Sequence, residues 1–179
     1  MHINKLKIIL VGPSSSGKTP VANFLSESLN VEESGTPRPT QGARIVEFEL
    51  SDVSVNDRHC KVDIELWDCS GNHRFESCWP VIRSGTHGVI LASSPNNSHT
   101  SAREMELLYN YFVSQPKLSA KQAVVFYNCS EEQDDIINLN LSPTFSKVSQ
   151  VKINTMTGGN RLKIDFSNFV SSILQSIKI

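Results

Sequence analysis

Apolar residues recur along this chain with two different periods, and the first change of period comes close to the N-terminus. A short apolar run at residues 7–11 is followed by a loop rich in glycine and serine. Beyond the loop, Val21, Phe24 and Leu25 have the i, i+3, i+4 spacing of one helical face. Pro20 falls in the first turn of that helix, where a missing N–H costs little because those donors have no intrahelical partner. The pattern predicts a strand, a loop and a helix, in that order.

The next apolar segments have the period of strands. Residues 44–50 and 61–67 both alternate between apolar and polar positions, as strands with one buried face do. The polar segment 51–60 joins them. We expect an antiparallel hairpin in which residues 51–60 form the connection.

The second half of the chain alternates between strands and helices, which is typical of an α/β fold. Residues 88–92 and 123–127 are continuous apolar runs of the kind found in buried strands, and residues 151–153 have the pattern of a last short strand. We assign no helix between residues 131 and 150, where the apolar periodicity fades. The two predicted helical faces consist of Met105, Leu108, Tyr109 and Phe112, and of Phe166, Phe169, Val170, Ile173, Leu174 and Ile177.

Composition limits the class of protein. The chain has 179 residues, of which 39% are hydrophobic and 20% charged, with a formal net charge of -1. These values fit one soluble globular domain, and so small a net charge provides no global field to attract nucleic acid. The four cysteines lack zinc-ligand spacing. We expect one domain over residues 1–179 in a reducing compartment, with no signal peptide, membrane span or lipid anchor of its own.

A phosphate-binding motif lies between the first predicted strand and helix. Residues 12–19 match the pattern G-x-x-x-x-G-K-[ST], in the structural context that the motif requires. The backbone N–H groups of such a loop and the N-terminus of the following helix form a cradle for phosphate oxygens. Lys18 adds a positive charge for the β and γ phosphates. The predicted phosphate ligands in this loop are Gly12, Pro13, Ser14, Ser15, Ser16, Gly17, Lys18 and Thr19.

A magnesium site is predicted from residues further along the chain. Asp68 directly follows the strand at residues 61–67, so its carboxylate lies where a nucleotide-bound Mg²⁺ is expected in such folds. The hydroxyl of Thr40, in the loop before the hairpin, completes the metal ligands with Thr19. Gly71 presents its N–H to the γ-phosphate. The alternatives are an ordinary loop threonine at position 40 and a simple turn after Asp68.

Hydrolysis and base recognition have weaker signals. Asn72 stands where a longer side chain orients the attacking water in a GTPase, so we predict weak intrinsic hydrolysis. His73 is a second candidate for that role, although a solvated histidine is the simpler interpretation. The predicted base-binding residues are Asn128, Glu131 and Thr155.

The base loop leaves the choice between guanine and adenine open. Asn128-Cys129-Ser130-Glu131 stands where a guanine-specific GTPase has Asn-Lys-x-Asp, so the lysine that packs on the base is missing. Asn128 is equally interpretable as a capping or turn residue.

Several segments together resemble a known family. The likeness is dense from residue 7 to about residue 88 and returns at residues 141–143. The family is the Rab-like small GTPase subunit of the intraflagellar transport B complex (Rab-like 5 type). The segments that carry it are GPSSSGKT at 12–19, ANFL at 22–25, PTQG at 39–42, ELWDCSG at 65–71 and FESCWP at 75–80.

The resemblance implies both a fold and a function. The fold is a Ras-like P-loop NTPase domain, a six-stranded, mostly parallel sheet with helices on both faces. The implied ligands are GTP or GDP with Mg²⁺, which order two switch loops. The implied partners are coiled-coil subunits of the intraflagellar transport B complex. The implied location is the cilium or flagellum, the basal body region and the cytoplasm. We expect Phe75 and Trp79 to contact such a partner, unless they are core residues. The alternatives are a pseudo-GTPase scaffold with a structural nucleotide and a small P-loop ATPase or kinase, which usually has an arginine-rich lid that this chain lacks.

Overall fold

The computed structural model describes residues 2–27, 38–94, 100–129, 141–155 and 159–177. Within these ranges the chain alternates between strands and helices, as the apolar periods predict. The α-helices are α1 (Lys18–Leu25), α2 (Trp79–Arg83), α3 (Thr100–Tyr109), which continues as a π-helical turn at Asn110–Ser114, and α4 (Gly159–Ser176). The strands are β1 (His2–Val11), β2 (Ala43–Val55), β3 (Arg58–Cys69), β4 (Gly88–Ser93), β5 (Ala123–Asn128) and β6 (Ser149–Ile153).

The strands form one six-stranded sheet in the order β2-β3-β1-β4-β5-β6. Every neighbouring pair is parallel except β2 and β3, which are antiparallel. The predicted six-stranded, mostly parallel sheet is therefore confirmed. Because β1 and β3 are parallel neighbours, with Leu10 opposite Asp68, the loops that follow them emerge at the same edge of the sheet. That edge is where open α/β folds bind their ligands.

The hairpin differs from the prediction in the length of its connection. Both strands continue through residues 51–60, and the turn consists of Asn56 and Asp57 alone. These two residues have positive φ angles of 49° and 60°, as a tight two-residue hairpin turn requires. An irregularity between Leu50 and Val53 brings Val53 back to the buried face, so the pairing continues past the polar residues. The prediction of a connection over residues 51–60 was wrong for this reason.

Helices cover both faces of the sheet, as expected. On one face α1 and α4 pack over the sheet, and the apolar side of α4 includes Phe166, Val170 and Ile173 among its fully buried residues. On the other face α2, α3 and the π-helical turn bury Met105 and Phe112. Both predicted helical faces are confirmed. Among the described residues, none of the helices has the length and apolar character needed to cross a membrane.

The segment before β6 contains no α-helix where it is described. Residues 141–150 contain only a short 3-10 turn at Pro143–Lys147 and the start of β6. Phe145 in this turn is buried against Tyr109, with ring centroids 4.8 Å apart. The rest of the segment without a predicted helix, residues 131–140, lies outside the described residues.

Candidate nucleotide and magnesium site

The loop after β1 closes around the side chain of Lys18. Its ammonium donates hydrogen bonds to the carbonyl oxygens of Gly12 (2.9 Å) and Pro13 (2.6 Å), and to the hydroxyl of Ser16 (3.2 Å). Lys18 is 7% exposed. Burial lowers the pKa of this ammonium, and the charge of Asp68 opposes the shift. The loop thus holds a desolvated positive charge at the start of α1, as phosphate binding requires.

Gly17 is the position where the phosphate loop passes close to another strand. Its φ of 84° is left-handed, and a β-carbon there would lie 2.1 Å from the amide nitrogen of Asn128 at the end of β5. Only glycine fits both requirements. The contact places the predicted base-binding asparagine directly against the phosphate loop.

The predicted metal ligands converge although they are far apart in the sequence. The Thr19 hydroxyl donates to the carboxylate oxygen Oδ2 of Asp68 at 2.7 Å, and Thr40 Oγ1 lies 3.0 Å from Thr19 Oγ1. Thr40 also reaches Asp68 Oδ2 at 3.5 Å. The structure therefore joins the end of β3, the start of α1 and the loop before β2 at one point.

These residues fit a hard divalent cation. Two hydroxyls and one carboxylate are the oxygen ligands that Mg²⁺ prefers. The second oxygen of Asp68, Oδ1, is buried and has no hydrogen-bond partner among the described residues, so the site has coordinating capacity that protein atoms do not use. Burial raises the pKa of the Asp68 carboxyl, while the hydrogen bond from Thr19 and the charge of Arg44 oppose the rise.

The loop after β3 lies against the phosphate loop. A β-carbon on Gly71 would be 2.5 Å from the backbone nitrogen of Ser14 and 2.7 Å from the carbonyl oxygen of Gly12. Such proximity is compatible with the predicted approach of the Gly71 N–H to a γ-phosphate. The next residue, Asn72, uses its side-chain oxygen to accept a hydrogen bond from the Arg74 backbone N–H at 3.0 Å. It caps the 3-10 helix His73–Cys78, so its side chain is already engaged.

His73 connects this loop to α3. Its Nδ1 bonds with Glu76, and its Nε2 lies 3.2 Å from a carboxylate oxygen of Glu104. The hydrogen bond with Glu76, together with the charges of Glu104 and Glu76, raises the pKa of His73, and partial burial opposes the rise. The residue is about half exposed, as a solvated histidine would be, but it is also paired on both ring nitrogens.

The two predicted partner-binding residues have different environments. Trp79 is half-buried, with its ring centroid 5.1 Å from that of Tyr111 and 5.3 Å from that of Phe112, so it packs on the second core. Phe75 is half-buried beneath the guanidinium of Arg74, at 4.9 Å. Trp79 therefore has a packing role, and the contacts of Phe75 and Trp79 with a partner both stay predictions.

Two of the predicted base-binding residues are described. Asn128 ends β5 opposite Ile153 of β6, and Thr155 follows β6 at the same edge of the sheet. The backbone N–H of Cys129 donates to the Ile153 carbonyl at 2.9 Å. Glu131 lies outside the described residues. The base-binding roles of all three residues stay predictions.

Comparison with known proteins identifies the family. The family model "Ras of Complex, Roc, domain of DAPkinase" matches residues 7–135. The intraflagellar transport protein 22 homolog of Homo sapiens is 39% identical over 175 residues, which cover 97% of this chain and 92% of the relative. The Mus musculus homolog is 37% identical with the same coverage. The chain belongs to the intraflagellar transport protein 22 family.

Solved structures agree with the fold of this family. The GTP-bound crystal structure of T. brucei IFT22/74/81 matches with a TM-score of 0.70 at 22% identity, covering 97% of this chain and 96% of that chain. The GDP-bound crystal structure of T. brucei IFT22 matches with a TM-score of 0.67 at the same identity and coverage. The resemblance that the sequence motifs indicated is therefore confirmed, as is the Ras-like fold.

The sequence pattern did not predict one residue of the site. Arg44, the second residue of β2, donates to the Asn23 side-chain oxygen at 2.6 Å and lies 3.4 Å from Asp68 Oδ2. In the sequence it is one polar position of an alternating strand, and nothing in that pattern indicates a role at the site. Its contacts follow from the antiparallel register, which places Arg44 opposite Asp68.

Proposed function

We propose that this member of the intraflagellar transport protein 22 family is an atypical small GTPase, a switch or assembly subunit of the intraflagellar transport B complex that binds guanine nucleotide with Mg²⁺. The observation that carries the proposal is the convergence of Thr19, Thr40 and Asp68 beside a phosphate loop closed around Lys18. The GTP-bound and GDP-bound relatives with the same fold support guanine as the base.

The chain's own residues divide the work of binding. The backbone of residues 12–17 and the ammonium of Lys18 bind the phosphates, and Thr19, Thr40 and Asp68 hold the metal. When bound, Mg²⁺ neutralises charge on the β and γ phosphates.

We expect two of the segments that contact the phosphate loop to respond to the third phosphate. The loop before β2 brings in Thr40, and the loop after β3 brings in Gly71. A γ-phosphate would order these two loops and its loss would release them, which is how nucleotide state is converted into surface shape in switch proteins.

The geometry favours slow hydrolysis. Asn72 is shorter than the glutamine that orients water in faster GTPases, and its oxygen is bound to the Arg74 N–H. We expect at most slow release of the γ-phosphate. In a single-turnover assay without any partner, hydrolysis as fast as that of a GTPase stimulated by its activating protein would contradict this.

Weak hydrolysis also keeps a second function open, a pseudo-GTPase scaffold that retains its nucleotide as a structural cofactor. The two functions differ in one measurement, the affinity of the GTP-bound and GDP-bound forms for a partner. A ligand with equal affinity for both forms shifts no population, so equal binding would exclude a switch.

We propose coiled-coil subunits of the intraflagellar transport B complex as the partners, in the cilium or flagellum, the basal body region and the cytoplasm. A solved relative carrying the designation IFT22/74/81 supports an assembly of this kind. Phe75→Ala and Trp79→Ala each test the contact, and thermal unfolding is measured for both because Trp79 also packs on the core. Unchanged partner binding by a folded Phe75→Ala protein would exclude Phe75 from the contact.

The direct test is a titration of nucleotide-free protein with fluorescent GTP, GDP and ATP in Mg²⁺. Lys18→Ala removes the charge inside the phosphate loop, whereas Lys163→Ala removes a lysine of α4 that pairs with Glu27, away from the loop. We expect tight GTP and GDP binding that Lys18→Ala abolishes and Lys163→Ala leaves unchanged. Equal binding of ATP would contradict guanine specificity, and no binding of any nucleotide would contradict the proposed function.

A further inference from the structure

Arg44 places a positive charge on the carboxylate that holds the metal. Its guanidinium nitrogen Nη2 lies 3.4 Å from Asp68 Oδ2, the same oxygen that accepts the hydrogen bonds of Thr19 and Thr40. Asp68 is fully buried, while the Arg44 side chain is 40% exposed. The ion pair therefore joins a buried carboxylate to a cation that is partly exposed to solvent.

The hydrogen bonds of Arg44 anchor it only in part. Nη2 donates to the Asn23 oxygen on α1 at 2.6 Å, which holds the guanidinium beside the metal ligands. Its Nε–H is buried and has no hydrogen-bond partner among the described residues. A guanidinium bound on one side only is less firmly fixed than one engaged through both of its edges.

Electrostatics at this distance oppose a metal ion. A divalent cation bound to Asp68 Oδ2 would lie within a few ångströms of the Arg44 guanidinium. Even with the screening of bulk water, a unit charge about 5 Å from a divalent ion changes its affinity by about tenfold. The hydroxyls of Thr19 and Thr40 are neutral and carry no such penalty.

We propose that Arg44 is a positioning residue that weakens Mg²⁺ binding at Asp68 and so raises the concentration of free Mg²⁺ at which nucleotide is retained. The inference rests on the proposed function, because Mg²⁺ acts here through bound nucleotide. The hydrogen bond to Asn23 keeps the Arg44 guanidinium beside the Asp68 carboxylate. Mg²⁺ therefore retains nucleotide only at a concentration high enough to bind despite the repulsion from that guanidinium.

The test measures the release rate of fluorescent GDP from the full chain as a function of free Mg²⁺. For Arg44→Gln we expect the Mg²⁺ concentration that halves the release rate to fall about tenfold, because the charge is gone. Asn23→Ala removes the anchor that holds the guanidinium beside Asp68, so its midpoint should also fall, by no more than that of Arg44→Gln. Arg44→Met, a second neutral side chain of similar length, replaces Arg44→Gln if that variant does not fold by circular dichroism.

The outcomes separate this inference from the proposed function. If wild-type protein retains GDP in a Mg²⁺-dependent way and the neutral variants leave the midpoint unchanged or raise it, Arg44 has no weakening role. A wild-type chain that holds no guanine nucleotide at any Mg²⁺ concentration overturns the proposed function and this inference together. A lowered midpoint in Arg44→Gln that Asn23→Ala does not share overturns the positioning of the charge through Asn23.

Discussion

Gly71→Ala tests whether the loop after β3 senses the third phosphate. The added β-carbon would lie 2.5 Å from the Ser14 nitrogen and 2.7 Å from the Gly12 oxygen, where ordinary contact begins at 3.4 Å. The three nearest atoms are all backbone, so a side-chain rotation cannot relieve these contacts. The loop after β3 and the phosphate loop must separate by about 0.9 Å.

The separation sets the size of the effect. A hydrogen bond of about 2.9 Å lengthened by this amount is no longer a hydrogen bond. A bond from a backbone N–H to a charged phosphate oxygen contributes about 1.5–3 kcal/mol, which is a factor of about 10–100 in affinity. GDP lacks the phosphate that the Gly71 N–H would contact. We therefore expect GTP affinity to fall at least tenfold and GDP affinity less than about threefold.

The assay is a pair of titrations with fluorescent GTP and GDP at saturating Mg²⁺, with thermal unfolding to confirm the fold. Gly85→Ala is the matched control, because Gly85 has a φ of 67° in the turn after α2 and no atom within 4 Å of the added carbon. It should lower the unfolding temperature by backbone strain and leave the ratio of the two affinities unchanged. A folded Gly71→Ala protein that keeps the wild-type ratio would refute the role of the Gly71 N–H.

Three further predictions concern the contact between Gly17 and Asn128, the pairing of His73 with Glu76, and the core. Gly17→Ala should abolish nucleotide binding in the same titrations, and adding Asn128→Ala should restore only part of it, because the clash at 2.1 Å is relieved while the strain at φ 84° remains. An NMR titration should give His73 a pKa above the usual histidine value of about 6.5, and Glu76→Gln should lower that pKa. The stabilisation of the fold by this pairing is complete below about pH 6.5 and is lost as pH rises through the higher folded-state pKa. Phe166→Ala empties a fully buried site and should cost about 3–5 kcal/mol in urea unfolding.

Elements whose apolar period is regular were predictable from sequence. The buried strands at residues 88–92 and 123–127 are observed with bounds that differ by one residue at their ends. The helical faces of α3 and α4 were predicted residue by residue, because the spacing of apolar residues alone decides which face of a helix is buried. The hairpin was predicted less well. Its polar residues resemble a loop, and only the irregular pairing after Leu50 shows that the strands continue.

The strand, loop and helix around residues 12–19 were also predictable, because the motif that indicates them is local. Residues 12–17 form the loop between β1 and α1, and Lys18 and Thr19 begin the helix, so the motif from which phosphate binding is predicted occupies eight consecutive residues. Thr40 and Asp68 were predicted from their order along the chain, and the structure adds the distances that join them.

The amino-acid sequence by itself determined the α/β alternation, the phosphate loop and the family, because periodicity and contiguous motifs are written in neighbouring residues. Only the tertiary structure decided that Arg44 lies on Asp68, that Asn128 lies against Gly17 and that His73 reaches Glu104. These contacts join residues that are at least 24 positions apart in the sequence. They depend on strand register and on which loops emerge at the same edge of the sheet. Register is a property of the assembled sheet, so no single segment of the chain encodes it.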